Sequence, residues 1–168
     1  MKVCIVIPMY NEQAGAQECL ATIFPYLKEF PGQTDIVVVD DGSKDATKAI
    51  VEDFIGANPG ASVKLVVHEK NRGYGGALRT GIKYAIDNGY DYGLFMDSDL
   101  TNHPRYLGIF YENMQKGYDY IKATRYSKGG RAEGVPWQRR IVSWVGNNLA
   151  RPAFRLPIRD FTNGFRAV

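Results

Sequence analysis

Five short, predominantly apolar runs, at residues 3–7, 36–39, 63–67, 92–96 and 120–124, alternate with segments whose apolar residues recur every three or four positions. This alternation restricts the available folds more than any other feature of the chain. Runs such as Val3-Cys4-Ile5-Val6-Ile7 have no polar residue to turn toward water, so both faces of the strand must be covered. The segments between them each carry one apolar stripe: Ala16, Leu20, Ile23, Phe24 and Leu27, then Ala46, Ala49, Ile50 and Phe54, then Leu78, Ile82, Ala85 and Ile86, then Leu107, Phe110, Tyr111 and Met114. Pro25 should kink or shorten the first helix, and Pro104 suits the start of the fourth. Ser43 reads as the N-cap of the second, with Asp45 in its first turn. The fold class that follows is α/β, a mainly parallel central sheet flanked by helices on both faces, in one domain over residues 1–168.

Where the strands stop matters, because ligands of open α/β sheets bind beyond the carboxyl ends of the strands. Three of those ends are polar. The first run leads into Pro8-Met9-Tyr10-Asn11-Glu12, the second into Asp40-Asp41-Gly42-Ser43, and the fourth into Asp97-Ser98-Asp99. In an extended chain alternate side chains share a side, so Asp97 and Asp99 project together just past a buried strand. Two adjacent carboxylates repel, and a hard divalent cation such as Mg2+ or Mn2+ relieves the repulsion while completing its shell with substrate phosphates. An acidic turn is the alternative that these residues alone leave open. Tyr10 offers a π face to a base, and Glu12 and Asp40 accept hydrogen bonds from a nucleobase edge. Gly73, Gly75 and Gly76 permit close backbone approach at a helix start, where free N–H groups meet a ligand; a turn that needs small residues is the plainer reading of the glycines alone.

The net charge of +3 conceals a strong asymmetry. Residues 1–121 hold 11 Lys/Arg against 16 Asp/Glu, whereas residues 122–168 hold 10 against 2. A basic C-terminal third points to an anionic partner: nucleic acid, a phosphate-bearing substrate or an acidic membrane surface. No nucleic-acid motif accompanies the positive charge, so no nucleic acid is expected. Cys4 and Cys19 have no metal-ligand spacing and read as reduced core thiols. No apolar run reaches about eighteen residues, and the N-terminus has no signal-peptide pattern, so a cytoplasmic location is expected.

Residues 126–136, with three glycines and one proline, read as a mobile loop, followed by a helix marked by Trp137, Ile141, Trp144, Val145 and Leu149. Two other nucleotide- or magnesium-binding folds fit less well. A phosphoacceptor receiver places its acidic pair after the first strand and a lysine after the last, whereas here the pair follows the second strand and the fifth ends in Ala123-Thr124-Arg125. A dinucleotide-binding domain needs a glycine fingerprint where this chain has Pro8-Met9-Tyr10.

The ordered series Val6-Ile7-Pro8-Met9-Tyr10-Asn11-Glu12, Val39-Asp40-Asp41-Gly42-Ser43-Lys44-Asp45-Ala46-Thr47, Asn71-Arg72-Gly73, Asp97-Ser98-Asp99 and Gly164-Phe165-Arg166 resembles glycosyltransferase family 2. Within it, the chain is most similar to the polyprenyl-phosphate and dolichol-phosphate mannosyl and glucosyl transferases. The resemblance implies a GT-A fold and inverting, metal-dependent transfer of a hexose from a nucleoside-diphosphate sugar, of the GDP-mannose or UDP-glucose type, to a polyprenyl or dolichyl phosphate. It implies that Pro8, Tyr10, Glu12, Asp40, Gly73, Asp97 and Ser98 bind the nucleotide sugar. Asp97 and Asp99 would bind the metal, Mg2+ or Mn2+, and Arg125 would act beside them near the phosphates. Arg139 and Arg140 fall where such members carry a basic pair for the acceptor phosphate. Many members have Gln two residues after the second metal Asp; Thr101 stands there in this chain.

The resemblance also implies work at the cytoplasmic face of a membrane, with peripheral contact to its anionic surface. Other acceptors remain in view, a glycan or another hydroxyl, as does a nucleotide-sugar-binding domain inactive as a fragment. The chain stops at Val168 directly after the Gly164-Phe165-Arg166 motif, which reads as a cut, since relatives continue further and some add transmembrane helices. A lipid phosphate is largely ionised at neutral pH and needs no general base, whereas a hydroxyl acceptor does. Glu133 and Asp160 are the only acids after residue 121, which favours the anionic acceptor.

Overall fold

The computed structural model describes residues 1–30, 32–60, 62–124, 160 and 163–168. Within these the chain runs β1 (Lys2–Met9), α1 (Ala16–Ile23), a 3-10 helix (Phe24–Glu29), β2 (Gln33–Asp40), α2 (Thr47–Ala57) and β3 (Val63–Val67). It continues through α3 (Tyr74–Asp87), β4 (Tyr92–Phe95), a 3-10 turn (Pro104–Tyr106), α4 (Leu107–Gln115), β5 (Ile121–Lys122) and β6 (Arg166–Ala167). The sheet order is β3-β2-β1-β4-β6-β5. β1 pairs in parallel with β2 and β4, and β2 with β3, while β6 runs antiparallel between β4 and β5.

Side-chain alternation along the strands divides the interior into two layers. Val3, Ile5, Ile7 and Met9 of β1, with Ile36 and Val38 of β2, face α1, α2 and α4 in one buried cluster. Cys4, Val6, Val37, Val39 and Phe95 face Ala77, Leu78 and Ala85 of α3 in the other. Helices therefore cover both faces, as the unbroken apolar runs require. Pro25 ends α1 in the expected way, by converting its continuation into a 3-10 helix.

Several expectations need correction. Ser43 does not cap α2, which begins at Thr47 with Ala46 at the N-cap position. Ser43 instead donates to Asp40, and it is the Asp45 carboxylate that accepts the Thr47 N–H. The buried face of α2 is Thr47 and Val51, with Ile50 and Phe54 partly buried, while Ala46 and Ala49 are exposed. The buried face of α3 is Ala77, Leu78, Gly81 and Ala85, leaving Ile82 and Ile86 exposed. The fifth strand is only Ile121–Lys122 and does not touch β4, because β6 lies between them. The loop expected at 126–136 and the helix expected over Trp137–Leu149 lie outside the described residues.

Candidate active site

Strand order reverses at β1: the chain proceeds outward through β2 and β3 on one side and resumes at β4 on the other. The crevice outside the carboxyl ends at such a switch point is where an α/β sheet accepts a ligand. Met9 is level with Asp40 in the β1–β2 register, and Val6 with Phe95 in the β1–β4 register. The polar tails of β2 and β4 thus flank that of β1, about 10 Å apart at the ordinary strand spacing.

On the β1–β2 side two loops are tied together by hydrogen bonds. The Asn11 N–H donates to Ser43 Oγ at 3.0 Å, and the Lys44 N–H donates back to Asn11 Oδ1 at 2.8 Å. The Glu12 N–H donates to Thr47 Oγ1 at 2.8 Å and the Gln13 N–H to Asp45 Oδ2 at 3.1 Å. Asn11 takes a positive φ of 54°, a conformation that asparagine tolerates better than most residues. Pro8 is half-buried within β1, Tyr10 stands exposed just beyond it, and Glu12 is half-buried at the loop. Asp40 is buried, and its Oδ1 accepts from both the N–H and the hydroxyl of Ser43. One oxygen of the expected base-binding carboxylate is therefore occupied by its own loop.

Asp41 has a different task. Its buried Oδ1 accepts from the Arg72 N–H at 2.8 Å and lies 2.6 Å from His68 Nδ1, while His68 Nε2 lies 2.8 Å from Thr80 Oγ1. This chain of contacts joins the end of β2, the end of β3 and the body of α3. Gly42, at φ +72°, fits the same place for two reasons: a Cβ there would lie 2.7 Å from the Lys70 carbonyl carbon and 2.8 Å from the Asn71 nitrogen. The result is a fixed Asn71-Arg72-Gly73 turn. Gly73 caps α3 at φ +77°, which favours glycine although the space beside it is open.

α3 begins at Tyr74, and that residue reaches across to β4. Its hydroxyl donates to Asp97 Oδ1 at 2.9 Å. Half of Tyr74 remains in solvent, and its partial burial together with the Asp97 carboxylate raises its pKa above the usual tyrosine range. It stays a donor at neutral pH. Burial is also the main influence on Asp97, which is pushed above the usual carboxylate range; Asp99 adds to the rise, and the Tyr74 hydrogen bond and Arg166 oppose it. Asp99 is exposed, and its Oδ1 accepts the Thr101 N–H at 2.9 Å in a turn where Leu100 has φ 55°. Ser98, between the two acids, is half-buried. Burial raises the Cys19 thiol of α1, and the Asp99 and Glu12 charges add to the rise.

The last strand completes this side. A Cβ at Gly164 would lie 2.8 Å from Asp97 Oδ2, 3.1 Å from Oδ1 and 2.9 Å from the Tyr74 hydroxyl, so only glycine lets the chain pass this close to the carboxylate and the phenol. Arg166, level with Phe95, stacks its guanidinium 5.4 Å from that ring and exerts its charge on Asp97. Asp97 and Asp99 offer oxygen donors only, which suits Mg2+ or Mn2+. Among the described residues no cluster of three His, Cys, Asp or Glu that could hold a metal ion exists.

The structure brings Pro8, Tyr10, Glu12, Asp40, Gly73, Asp97, Ser98 and Asp99 to the same end of the sheet. Arg125, Arg139 and Arg140 lie outside the described residues. Sequence reasoning missed the parts played by His68, Tyr74 and Arg166. A polar residue directly after the third strand, a hydroxylated aromatic between glycines at a helix start, and the arginine of the Gly164-Phe165-Arg166 motif were the available signals.

The model of the family described as "Glycosyl transferase family 2" matches residues 4–168. The chain is 31% identical over 97% of its length to a polyprenol monophosphomannose synthase of Mycolicibacterium smegmatis, covering 60% of that protein. It is 30% identical over 99% of its length to an undecaprenyl-phosphate mannosyltransferase of Micrococcus luteus, covering 66% of that protein. The chain thus spans less than two thirds of the length of these curated relatives. A mannosyltransferase of Pyrobaculum calidifontis solved with GDP-mannose and Mn2+ superposes with a TM-score of 0.52 and 28% identity, over 58% of this chain and 27% of that one. Glucosyl-3-phosphoglycerate synthase of Mycobacterium tuberculosis gives a TM-score of 0.70 over 99% of this chain and 56% of that one, at 23% identity, a likeness of fold alone.

Proposed function

The chain belongs to glycosyl transferase family 2, with the GT-A fold, and on that premise we propose that it carries an inverting hexosyl transfer from a nucleoside-diphosphate sugar to a polyprenyl phosphate. The observation that carries this reading is the meeting of three acidic or aromatic strand tails at the β1 switch point. Tyr10 stacks on the base, while Glu12 and the Asp40 oxygen not used by Ser43 accept from its edge. Pro8, Gly73 and Ser98 line the same donor. A polyprenyl acceptor is favoured by the names of the two mannosyl-transferring relatives and by the basic composition of residues 122–168.

In the reaction an acceptor phosphate oxygen forms a bond to the anomeric carbon as the bond from that carbon to the diphosphate breaks, with inversion. Asp97 and Asp99 would hold the divalent cation, which when bound neutralises charge on the departing diphosphate. Asp97 is held through Oδ1 by the Tyr74 hydroxyl, and Asp99 through Oδ1 by the Thr101 N–H of its own turn. Arg125 is assigned to the diphosphate, and Arg139 and Arg140 to the acceptor phosphate. Groups that bind the leaving diphosphate more tightly than the intact donor speed the chemical step. The acceptor is already ionised, so the site needs no general base.

The test is a transfer assay with GDP-mannose and UDP-glucose as donors and a short polyprenyl phosphate as acceptor, with Mg2+, Mn2+ or EDTA. Transfer should require metal, and Asp99→Ala should lower it by at least about 100-fold, the scale seen when a charge-stabilising group is removed. Full turnover by Asp99→Ala at saturating donor would refute the role given to that residue. Donor binding without transfer to any lipid phosphate would instead make this chain a donor-binding unit.

A further inference from the structure

A carboxylate that must hold an ion faces a conformational problem, because the terminal torsion of aspartate is soft and its two oxygens exchange readily. Asp97 meets this with a brace from another element. Tyr74 is the first residue of α3, whose next turn is anchored by buried Ala77 and Leu78, and its hydroxyl holds Asp97 Oδ1 at 2.9 Å. Gly164 packs close to the same pair: a Cβ there would come within 2.8 Å of Asp97 Oδ2 and 2.9 Å of the Tyr74 hydroxyl. Among the described residues no protein donor reaches Oδ2, which keeps its lone pairs for a ligand. With half of Tyr74 in solvent, the ring adds little to the core, so its hydroxyl rather than its bulk is the functional part.

We propose that Tyr74 is a positioning residue for the cation site, fixing Asp97 through Oδ1 so that Oδ2 is presented to Mg2+ or Mn2+. The inference rests on the metal-binding reading above. It makes the Asn71-Arg72-Gly73 turn part of the metal site at one remove: the Asp41–His68–Thr80 contacts and the positive φ of Gly73 set where α3 starts, and hence where the phenol points.

The test compares the 168-residue chain with Tyr74→Phe and Asp97→Asn, using Mn2+ itself as the probe with GDP or UDP present, and reading free Mn2+ by electron paramagnetic resonance. Tyr74→Phe should bind Mn2+ about tenfold more weakly, as when an outer hydrogen-bond partner of a ligand is lost. Its nucleotide affinity in EDTA and its melting temperature should match the parent's, because the ring remains. Unchanged Mn2+ affinity in Tyr74→Phe, alongside loss in Asp97→Asn, would overturn the inference and leave the metal site standing. Mn2+ binding that Asp97→Asn does not alter would overturn both. An equal loss of nucleotide affinity in EDTA would reduce Tyr74 to a structural residue and also overturn the proposal.

Discussion

The buried carboxylates at the end of β2 are matched by polar partners, Asp40 by Ser43 of its own loop and Asp41 by Arg72 and His68 of another, whereas the cysteines are buried among apolar side chains. Burial pushes both thiols from their ordinary value of 9.0 up to about 12, with Asp35 adding to the rise at Cys4, and Asp99, Glu12 and Glu18 at Cys19. Both are free and fully enclosed. Each should therefore resist iodoacetamide at pH 8 in the folded protein and react once urea has unfolded it, read by mass shift. The pH dependence has a definite sign. Between about pH 9 and 12 the unfolded chain has lost its thiol protons while the folded chain still holds them. The unfolded state then binds fewer protons, so these thiols make stability fall as pH rises through that window. Urea midpoints at pH 8, 9 and 10 would show it, and Cys4→Ala with Cys19→Ala should flatten the decline. A midpoint that falls equally in that double variant would assign the decline to other groups, the tyrosines first.

At the scale of elements, α3 shows what local pattern conveys and what it hides. Gly81 sits where a Cβ would lie 2.2 Å from Val6 Cγ1 of β1, so the helix lies on the sheet at a distance only glycine permits. Alanine is the better helix former by about 1 kcal/mol, but here overpacking should dominate, and Gly81→Ala should destabilise the protein by about 1–3 kcal/mol. Val6→Ala should cost less in the Gly81→Ala background than in the parent, a coupling that urea denaturation of the four chains in a double-mutant cycle measures. Independent, additive costs would mean that the helix moves away instead. The same contact explains why the buried face of α3 departs from its apolar periodicity. Ile82 and Ile86 continue the stripe of Leu78 and Ala85 by periodicity, yet the approach at Gly81 turns that stripe and leaves both isoleucines in solvent. α4 has no such glycine in its buried face, and Leu107, Phe110, Tyr111 and Met114 are all buried as their spacing implies. In α2 the departure is chemical: Thr47 is buried because its hydroxyl serves the Glu12 N–H and the Asp45 carboxylate, a pairing with partners far away in sequence or outside the helix.

In the molecule as a whole, the parallel half β3-β2-β1-β4 was legible because each strand holds a predominantly apolar run and is followed by its own helix. The other half was not, since β6 comprises two residues whose partners lie more than forty positions earlier. The acidic strand tails were visible for the same reason as the strands, while the brace on Asp97 required knowing that Tyr74 and Gly164 meet there. This late segment is integral to the sheet. Phe165 is buried against Phe110 with ring centroids 4.4 Å apart, Ala167 is fully enclosed, and Gly93 and Val168 exchange two backbone hydrogen bonds of 2.8 and 3.0 Å. Lys122 and Asn163 add a further tie to β5. Phe165→Ala should therefore cost about 3–5 kcal/mol, as for other buried phenylalanines. Removing residues 163–168 should cost at least as much, because β5 then loses its only strand partner among the described residues and β4 loses its pairing with β6. It also removes Gly164 and Arg166 from beside Asp97, so stability and the proposed cation site should fail together in the shortened chain. Phe165→Ala separates the two: it should lower the urea midpoint while leaving Mn2+ affinity near that of the parent under conditions where it remains folded. A shortened chain that unfolds at the parent's midpoint would show that the sheet does not depend on β6.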